Sequence, residues 1–362
     1  MRPLNSLLWS GQVGLHGLAA RRDRKRGRSR DLFEVATRVD IIAPPTVSKG
    51  GVPCIMLPDQ LDRAQAAAFD TNLPDEIAQM RGAERIHPPL RRFEFHDTLI
   101  HGSAIFAREG RRYFNYEMPD PSSAEPIEEL DSVALRSSFV GAFYFGHWLR
   151  DDCASHILAK EEGPVASLQH PVWPDTQFYR TIFDQQYPVI RKARVKKLIL
   201  FDDITQSPHK AQRFRHLRSR LKEQVTGQNS NHIVYLKRGS AGERRRMLNE
   251  DEVVSALEKR GVHIVQAEGM TAEHLVKTLH GSRLVISVEG SQISHALYTL
   301  QDGGGVLAIQ PPRRLFNSHM DWTRVLDMQY GIVVGIDQGN QDFTLPVDDL
   351  LRTVDLMDKR VG

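Results

Sequence analysis

The clearest alternation of hydrophobic and polar positions lies in the second half of the chain. His232–Arg238 (HIVYLKR) is a short β-rich apolar run, the mark of a strand. After a Gly/Ser/Arg loop, Asn249 with Glu252 three residues on has the form of a capping box. Val253, Val254 and Leu257 then give a helical stripe, and Gly261 stops it. VHIVQAE reads as the next strand; Thr271 caps a second helix with the stripe Leu275, Val276 and Leu279, ended by Gly281. RLVISVEG is apolar almost throughout, as in a strand covered on both faces of a parallel sheet. Ser291 is placed to cap a helix over QISHALYTL. GGVLAIQPP and GIVVGID supply further strands, and PVDDLLRTVDLMDK a closing helix. This rhythm predicts βαβ units in a doubly wound parallel sheet.

The first half is less regular. Residues 31–130 mix short apolar runs with turns at Pro44, Pro45, Pro119, Pro121 and Pro126. SVALRSSFVGAF is strand-like, FGHWLRDDCASHILAKE helical, and KKLILFDD a strand. HKAQRFRHLRSRLKEQV reads as a basic helix bridging the two halves. The polar stretch at residues 222–230 marks a boundary. The expected division is a basic, disordered arm (1–30), an N-terminal domain (31–225) and a C-terminal domain (226–362).

Charge narrows the picture. Residues 1–30 carry +7, which leaves −4 for the rest of a chain whose total is +3. The basicity is thus a property of the arm and argues against nucleic-acid binding. The arm has a second reading as a peripheral membrane anchor: Leu7, Leu8, Trp9, Val13, Leu15 and Leu18 would touch lipid and the arginines anionic headgroups. Its charge follows the apolar stretch, unlike a secretory signal, and no run approaches the ~20 apolar residues of a membrane span. Two separated cysteines, Cys54 and Cys153, fit a reducing compartment and exclude a disulfide framework.

Three segments could carry chemistry. In RLVISVEGSQISHALY a strand ends at Glu289-Gly290-Ser291 and leads directly into a helix, which suits a diphosphate. Glu289 could accept hydrogen bonds from a ribose. The same residues serve equally as a plain strand-to-helix turn. In the loop Arg238–Arg246, Arg238 stands at a strand end, where guanidinium groups would neutralise a diphosphate; a solvated basic loop is the alternative. His147 and Asp151, four residues apart on a helix, could pair as an oriented general base or as a satisfied core histidine. Gly-x-Gly-x-x-Gly, Walker, Gly-x-Ser-x-Gly and His-Glu-x-x-His motifs are absent.

In this order, these blocks resemble glycosyltransferase family 61, the group found in capsular-polysaccharide and plant-xylan enzymes. FGHWLRDD is similar to the family block at His147, Trp148 and Asp151. IVYLKRGSAGERRRMLNEDEV is similar at Arg238, Arg245, Asn249 and Glu250, and VISVEGSQISHALY followed by LAIQPP resembles the glycine-containing loop and the strand behind it. The likeness runs from about Ser137 to Asp337. Many eukaryotic members have a His-Gly-Ala-Gly loop where this chain has Glu289-Gly290-Ser291-Gln292. The form here, with His295 following, resembles the bacterial branch, so donor contacts there can differ.

The resemblance implies a GT-B-like α/β architecture with two Rossmann-like domains, the C-terminal one holding the donor. It implies inverting transfer from a nucleotide sugar to an oligosaccharide or lipid-linked glycan, such as a bacterial surface polysaccharide precursor, without a metal or other cofactor. His147 and Asp151 would then be catalytic. Arg238, Arg245, Glu289, Gly290, Ser291 and His295 would form the donor side. A cytoplasmic location follows, free or peripheral at the inner face of the membrane. Asp202-Asp203, after KLILF, resembles the metal-holding acidic pair of GT-A glycosyltransferases and is the rival arrangement. Two rival functions are transfer of another group, such as pyruvyl, and a catalytically silent glycan-binding protein on the same scaffold.

Overall fold

A computed structural model describes residues 4–25, 30–48, 52–69, 71–107, 110–115, 125–225, 231–239 and 243–361. The arm residues Arg2, Arg26 and Arg28, the turn prolines Pro119 and Pro121, part of the polar boundary (226–230) and part of the Arg-rich loop (240–242) lie outside these residues. The fold is mixed α/β, in two compact units: residues 1–45, 88–173 and 184–205 form one, and residues 46–87, 174–183 and 206–362 the other.

The second unit contains a five-stranded, all-parallel sheet. Its strands are β1 (Ile233–Lys237), β2 (His263–Gln266), β3 (Leu284–Val288), β4 (Gly305–Gln310) and β5 (Gln329–Val334), in the order β2-β1-β3-β4-β5. One face packs Tyr235, Ile286, Leu307 and Val333 against Val253, Leu257, Leu350 and Met357 of two helices. The alternate residues Val234, Leu236, Val285, Val306, Ala308 and Ile332 are also buried, so both faces are covered. That explains why these strands read as continuous apolar runs. Thr271 caps its helix by accepting from His274 N–H, and Gly261 and Gly281 end theirs at positive φ (73° and 74°).

Two local expectations change. Asn249 does not cap its helix; its side chain donates to Leu345 O (2.9 Å) and accepts from Leu345 N–H (2.9 Å), tying the helix start to the segment before the last helix. Ser291 does not cap either. Ser291–His295 is a 3₁₀ turn, followed by a four-residue α-helix, Ala296–Thr299.

Residues 46–87 fold onto the edge of this sheet. Ile55 N–H donates to Tyr330 O and Ile55 O accepts from Ile332 N–H (2.9 Å each), extending the ladder beyond β5. The carboxylate of Glu76 accepts from Asn317 N–H at 2.7 Å. The basic helix Pro208–Gln224 also belongs here: Arg218 donates to Leu297 O and Leu300 O. The compact units are therefore not divided by a single cut near residue 225.

The first unit does not have the expected second Rossmann-like sheet. Its nine-stranded sheet is mixed, because the long strand Leu90–His101 runs antiparallel to Lys192–Asp202, Arg38–Ala43 and Ala104–Phe106. Lys192–Asp202, Glu128–Leu135, Val165–Leu168 and Val189–Ile190 form one parallel set, and Arg30–Asp31 pairs parallel with Gly110–Tyr113 at the other edge. Within the N-terminal arm, Leu4–Lys25 is a helix. Trp9 is buried within this unit, its indole N–H donating to His101 Nδ1 (3.2 Å) and its ring under the Arg194 guanidinium, so its apolar surface is what anchors the helix.

Candidate active site

In the strand order β2-β1-β3-β4-β5 the chain direction of winding reverses between β1 and β3. Parallel sheets bind ligands in the crevice outside the carboxyl ends of the two strands at such a switch point. Here those ends are Lys237-Arg238 and Val288-Glu289-Gly290.

Three guanidinium groups converge at this crevice. Arg238 Nη1 donates to Gln292 Oε1 (3.3 Å) and to Glu289 O (3.5 Å), and its Nη2 to Glu243 O (3.0 Å). Arg245 Nη1 donates to Glu289 O (2.5 Å) and Glu289 Oε2 (2.8 Å). Arg314, from the loop after β4, donates through Nη1 to Glu289 Oε2 (2.7 Å) and through Nε to Glu243 Oε2 (2.6 Å). Burial and the neighbouring Arg245 pull Arg238 down to about 10. A cation destabilised in this way gains most from a bound anion. Beside the cluster is a cleft of about 440 Å³, lined by Arg238, Glu243, Arg245, Leu248 and Glu250 among others.

Glycine at 290 leaves room for two side-chain ends at the crevice. A β-carbon there would collide with Arg238 Nη1 and Gln292 Oε1. Gln292 fixes the loop by donating to Val288 O (2.6 Å), and His319 Nε2 lies 3.2 Å from Gly290 O.

Arg238, Arg245, Glu289 and Gly290 are thus brought together, though not all in the expected manner. The Glu289 carboxylate is buried, and its Oε2 is engaged by two arginines. Ser291 opens a 3₁₀ turn too short to add a helix dipole, so the positive potential here comes from arginines. The His295 ring is engaged by the second unit's own residues: Nδ1 lies 2.6 Å from the Tyr179 hydroxyl, and Nε2 lies 3.6 Å from Asp175. Arg314 and His319 have no place in the sequence reading of the site, and Gln292 enters it only as part of the glycine-containing loop. The available signal for Arg314 was an arginine pair just past the end of β4.

In the first unit, Phe145–His147 is one helical turn, and Trp148–Asp152 continues it as a π-helix, with Cys153 N–H donating to Trp148 O. Such widened turns mark functional positions. The π turn rests on Arg136, a buried cation stacked on Trp148 and Tyr187 (5.3 and 4.4 Å) that donates to Asp152 O at 3.1 Å. Burial pushes the Asp152 carboxyl up to about 7, against the pull of Arg136 and Ser138.

His147 Nδ1 lies 2.8 Å from Asp151 Oδ2 and 2.6 Å from Arg150 Nη2. One nitrogen cannot donate to the first and accept from the second at once. With Nδ1–H given to Asp151, the lone pair is on Nε2, the form a general base requires. His147 is half-buried and Asp151 fully buried, which fixes the ring against a carboxylate. Each arrangement, arginine cluster and His–Asp pair, is a property of its own unit.

Residues 145–307 match the family model Glycosyltransferase 61. The match begins beside His147 and takes in Asp151, Arg238, Arg245 and Glu289–Ser291.

The protein carries a glycosyltransferase 61 domain.

It is a glycosyltransferase, which implies a sugar donor and a glycan acceptor in general terms. No curated protein matches the chain. Arg314 and His319 lie beyond the matched residues of the glycosyltransferase 61 domain and still complete its crevice. The acidic pair resembling a metal site is divided: Asp202 accepts from Arg91 and Asp203 from Ser155 Oγ (2.9 Å). Both cysteines are buried and unpaired, and burial pushes each thiol up to about 12, well outside the reactive range.

Proposed function

We propose that the protein transfers a glycosyl group from a nucleotide sugar to a surface polysaccharide or lipid-linked glycan, with inversion and without a metal. The observation that carries this reading is the convergence of Arg238, Arg245 and Arg314 at the switch point of a parallel sheet. Guanidinium groups there suit a diphosphate by bidentate, charge-assisted hydrogen bonds, and such bonds strengthen as the leaving oxygen gains charge.

The arginine cluster at the end of the parallel sheet holds the nucleoside diphosphate. His147 Nε2 takes the proton of the acceptor hydroxyl as its oxygen bonds the anomeric carbon. The bond to the diphosphate breaks in the same step, and the arginines neutralise the departing anion. Asp151 keeps the imidazole in the required tautomer. Donor nucleotide binding therefore depends on one set of residues and proton transfer on another.

The helix Leu4–Lys25 supports peripheral contact with the inner face of the cytoplasmic membrane. Leu8, Leu15 and Leu18 are exposed, whereas Trp9 and Val13 are buried. Among the described residues no helix is long and apolar enough to cross a membrane.

A thermal-shift screen of nucleotide sugars, followed by turnover in EDTA, tests the proposal. Stabilisation by a nucleotide sugar and turnover in chelator are expected. Loss of turnover in EDTA, restored by Mn²⁺ and abolished in Asp202→Asn, would replace it with the acidic-pair arrangement.

A further inference from the structure

The two carboxylates of the arginine cluster have different surroundings. Glu289 is 3% exposed, and its position between Arg245 and Arg314 makes it part of the frame that aims both guanidinium groups. Glu243 is 58% exposed, yet the same oxygen, Oε2, accepts from Arg314 Nε at 2.6 Å and from Arg245 Nη2 at 3.2 Å. One exposed oxygen shared by two guanidinium groups is how a phosphate oxygen would sit. Burial alone would raise the Glu243 carboxyl, but Arg314 and Arg245 outweigh it and hold the group below its usual range, as a charged partner.

The charge balance points the same way. Arg238, Arg245 and Arg314 against Glu289 alone leave an excess of two positive charges, matched to a diphosphate; with Glu243 in place the excess is one. The Nε–H of Arg245 is buried with no partner among the described residues, so the cluster retains an unused donor. Arg238 meanwhile holds the backbone carbonyl of Glu243 at 3.0 Å, so rotation of the side chain alone would take the carboxylate out to solvent.

We propose that Glu243 is a built-in stand-in for the donor's phosphate: its carboxylate bridges Arg245 and Arg314, and an incoming nucleoside diphosphate displaces it. The inference rests on the reading of this crevice as the diphosphate site. It makes Glu243 a competitor of the ligand, one that keeps the arginines oriented between turnovers and lowers affinity for any anion too weak to displace it.

Calorimetric titration of inorganic pyrophosphate and of UDP, in EDTA, into the full chain separates the two ideas. Glu243→Gln removes the charge and keeps the shape. It should bind pyrophosphate roughly three- to tenfold more tightly than wild type, a gain set by the modest worth of an exposed ion pair. Arg314→Ala should bind it more weakly. Glu243→Ala, checked by circular dichroism, repeats the test should the glutamine variant fold poorly. Equal or weaker binding by a folded Glu243 variant, with wild type binding normally, overturns the stand-in. Absence of binding to wild type and variants alike overturns the diphosphate site itself.

Discussion

The Nη1 atom of Arg238 occupies the space that a β-carbon on Gly290 would fill. The backbone at Gly290 is extended (φ 160°, ψ 173°), a conformation open to any residue, so the demand for glycine is steric and local. Gly290→Ala should therefore fold with nearly unchanged melting temperature. It should push the Arg238 guanidinium out of the crevice and weaken UDP binding about tenfold or more, the scale of one charge-assisted hydrogen bond. Unchanged affinity by calorimetry would mean that Arg238 is not a phosphate ligand.

Donor binding and proton transfer should separate by mutation. Arg238→Ala should cost about 1.5–3 kcal/mol of nucleotide affinity. His147→Ala should leave that affinity alone and cut turnover by about 10²–10⁴, the usual worth of a general base. Calorimetry and turnover on each variant measure both. Near-normal turnover in His147→Ala would return the residue to a packing role beside Asp151.

The N-terminal helix should matter for stability. Trp9 is fully buried against His101 and Arg194, so Trp9→Ala should destabilise the first unit by about 3–5 kcal/mol. Deleting residues 1–25 should lower the melting temperature for the same reason. A truncated protein as stable as the full chain would show that this contact contributes nothing. Loss of liposome pelleting in Leu15→Ser with stability intact would support the membrane contact independently.

Stability should fall in mild acid through His295. Burial lowers its folded-state value from 6.5 to about 4. Between those values the unfolded chain binds more protons than the native state, so the contribution of the neutral ring is full above pH 6.5 and lost as pH falls towards 4. A shift of this size corresponds to at most on the order of 3 kcal/mol. His295→Gln keeps a side chain that can accept from Tyr179 and does not titrate. The melting-temperature gap between wild type and variant should narrow or reverse from pH 7 to pH 4.5; a constant gap would remove His295 from the acid response.

The parallel sheet was legible because its signals are local. Each strand of RLVISVEG type is covered on both faces, and Thr271, Gly261 and Gly281 mark helix ends by their own chemistry. The first unit was less so, since whether Leu90–His101 pairs parallel or antiparallel depends on partners far along the chain. In the helix at the start the charge is the conspicuous sequence signal, whereas the burial of Trp9 and Val13 depends on contacts far along the chain.

For the candidate site, sequence alone determined the ends of β1 and β3, hence Arg238 and Glu289–Gly290, and the four-residue spacing that lets His147 meet Asp151. Only the tertiary structure decided that Arg314, 25 residues beyond Glu289, shares its carboxylate with Arg245, that Glu243 fills the remaining gap, and that His295 belongs to Tyr179. The physical reason is that periodicity and capping are set by neighbours within a few residues. A cluster of like charges, by contrast, exists only where the sheet brings separate loops to one edge and supplies the carboxylate that holds them there.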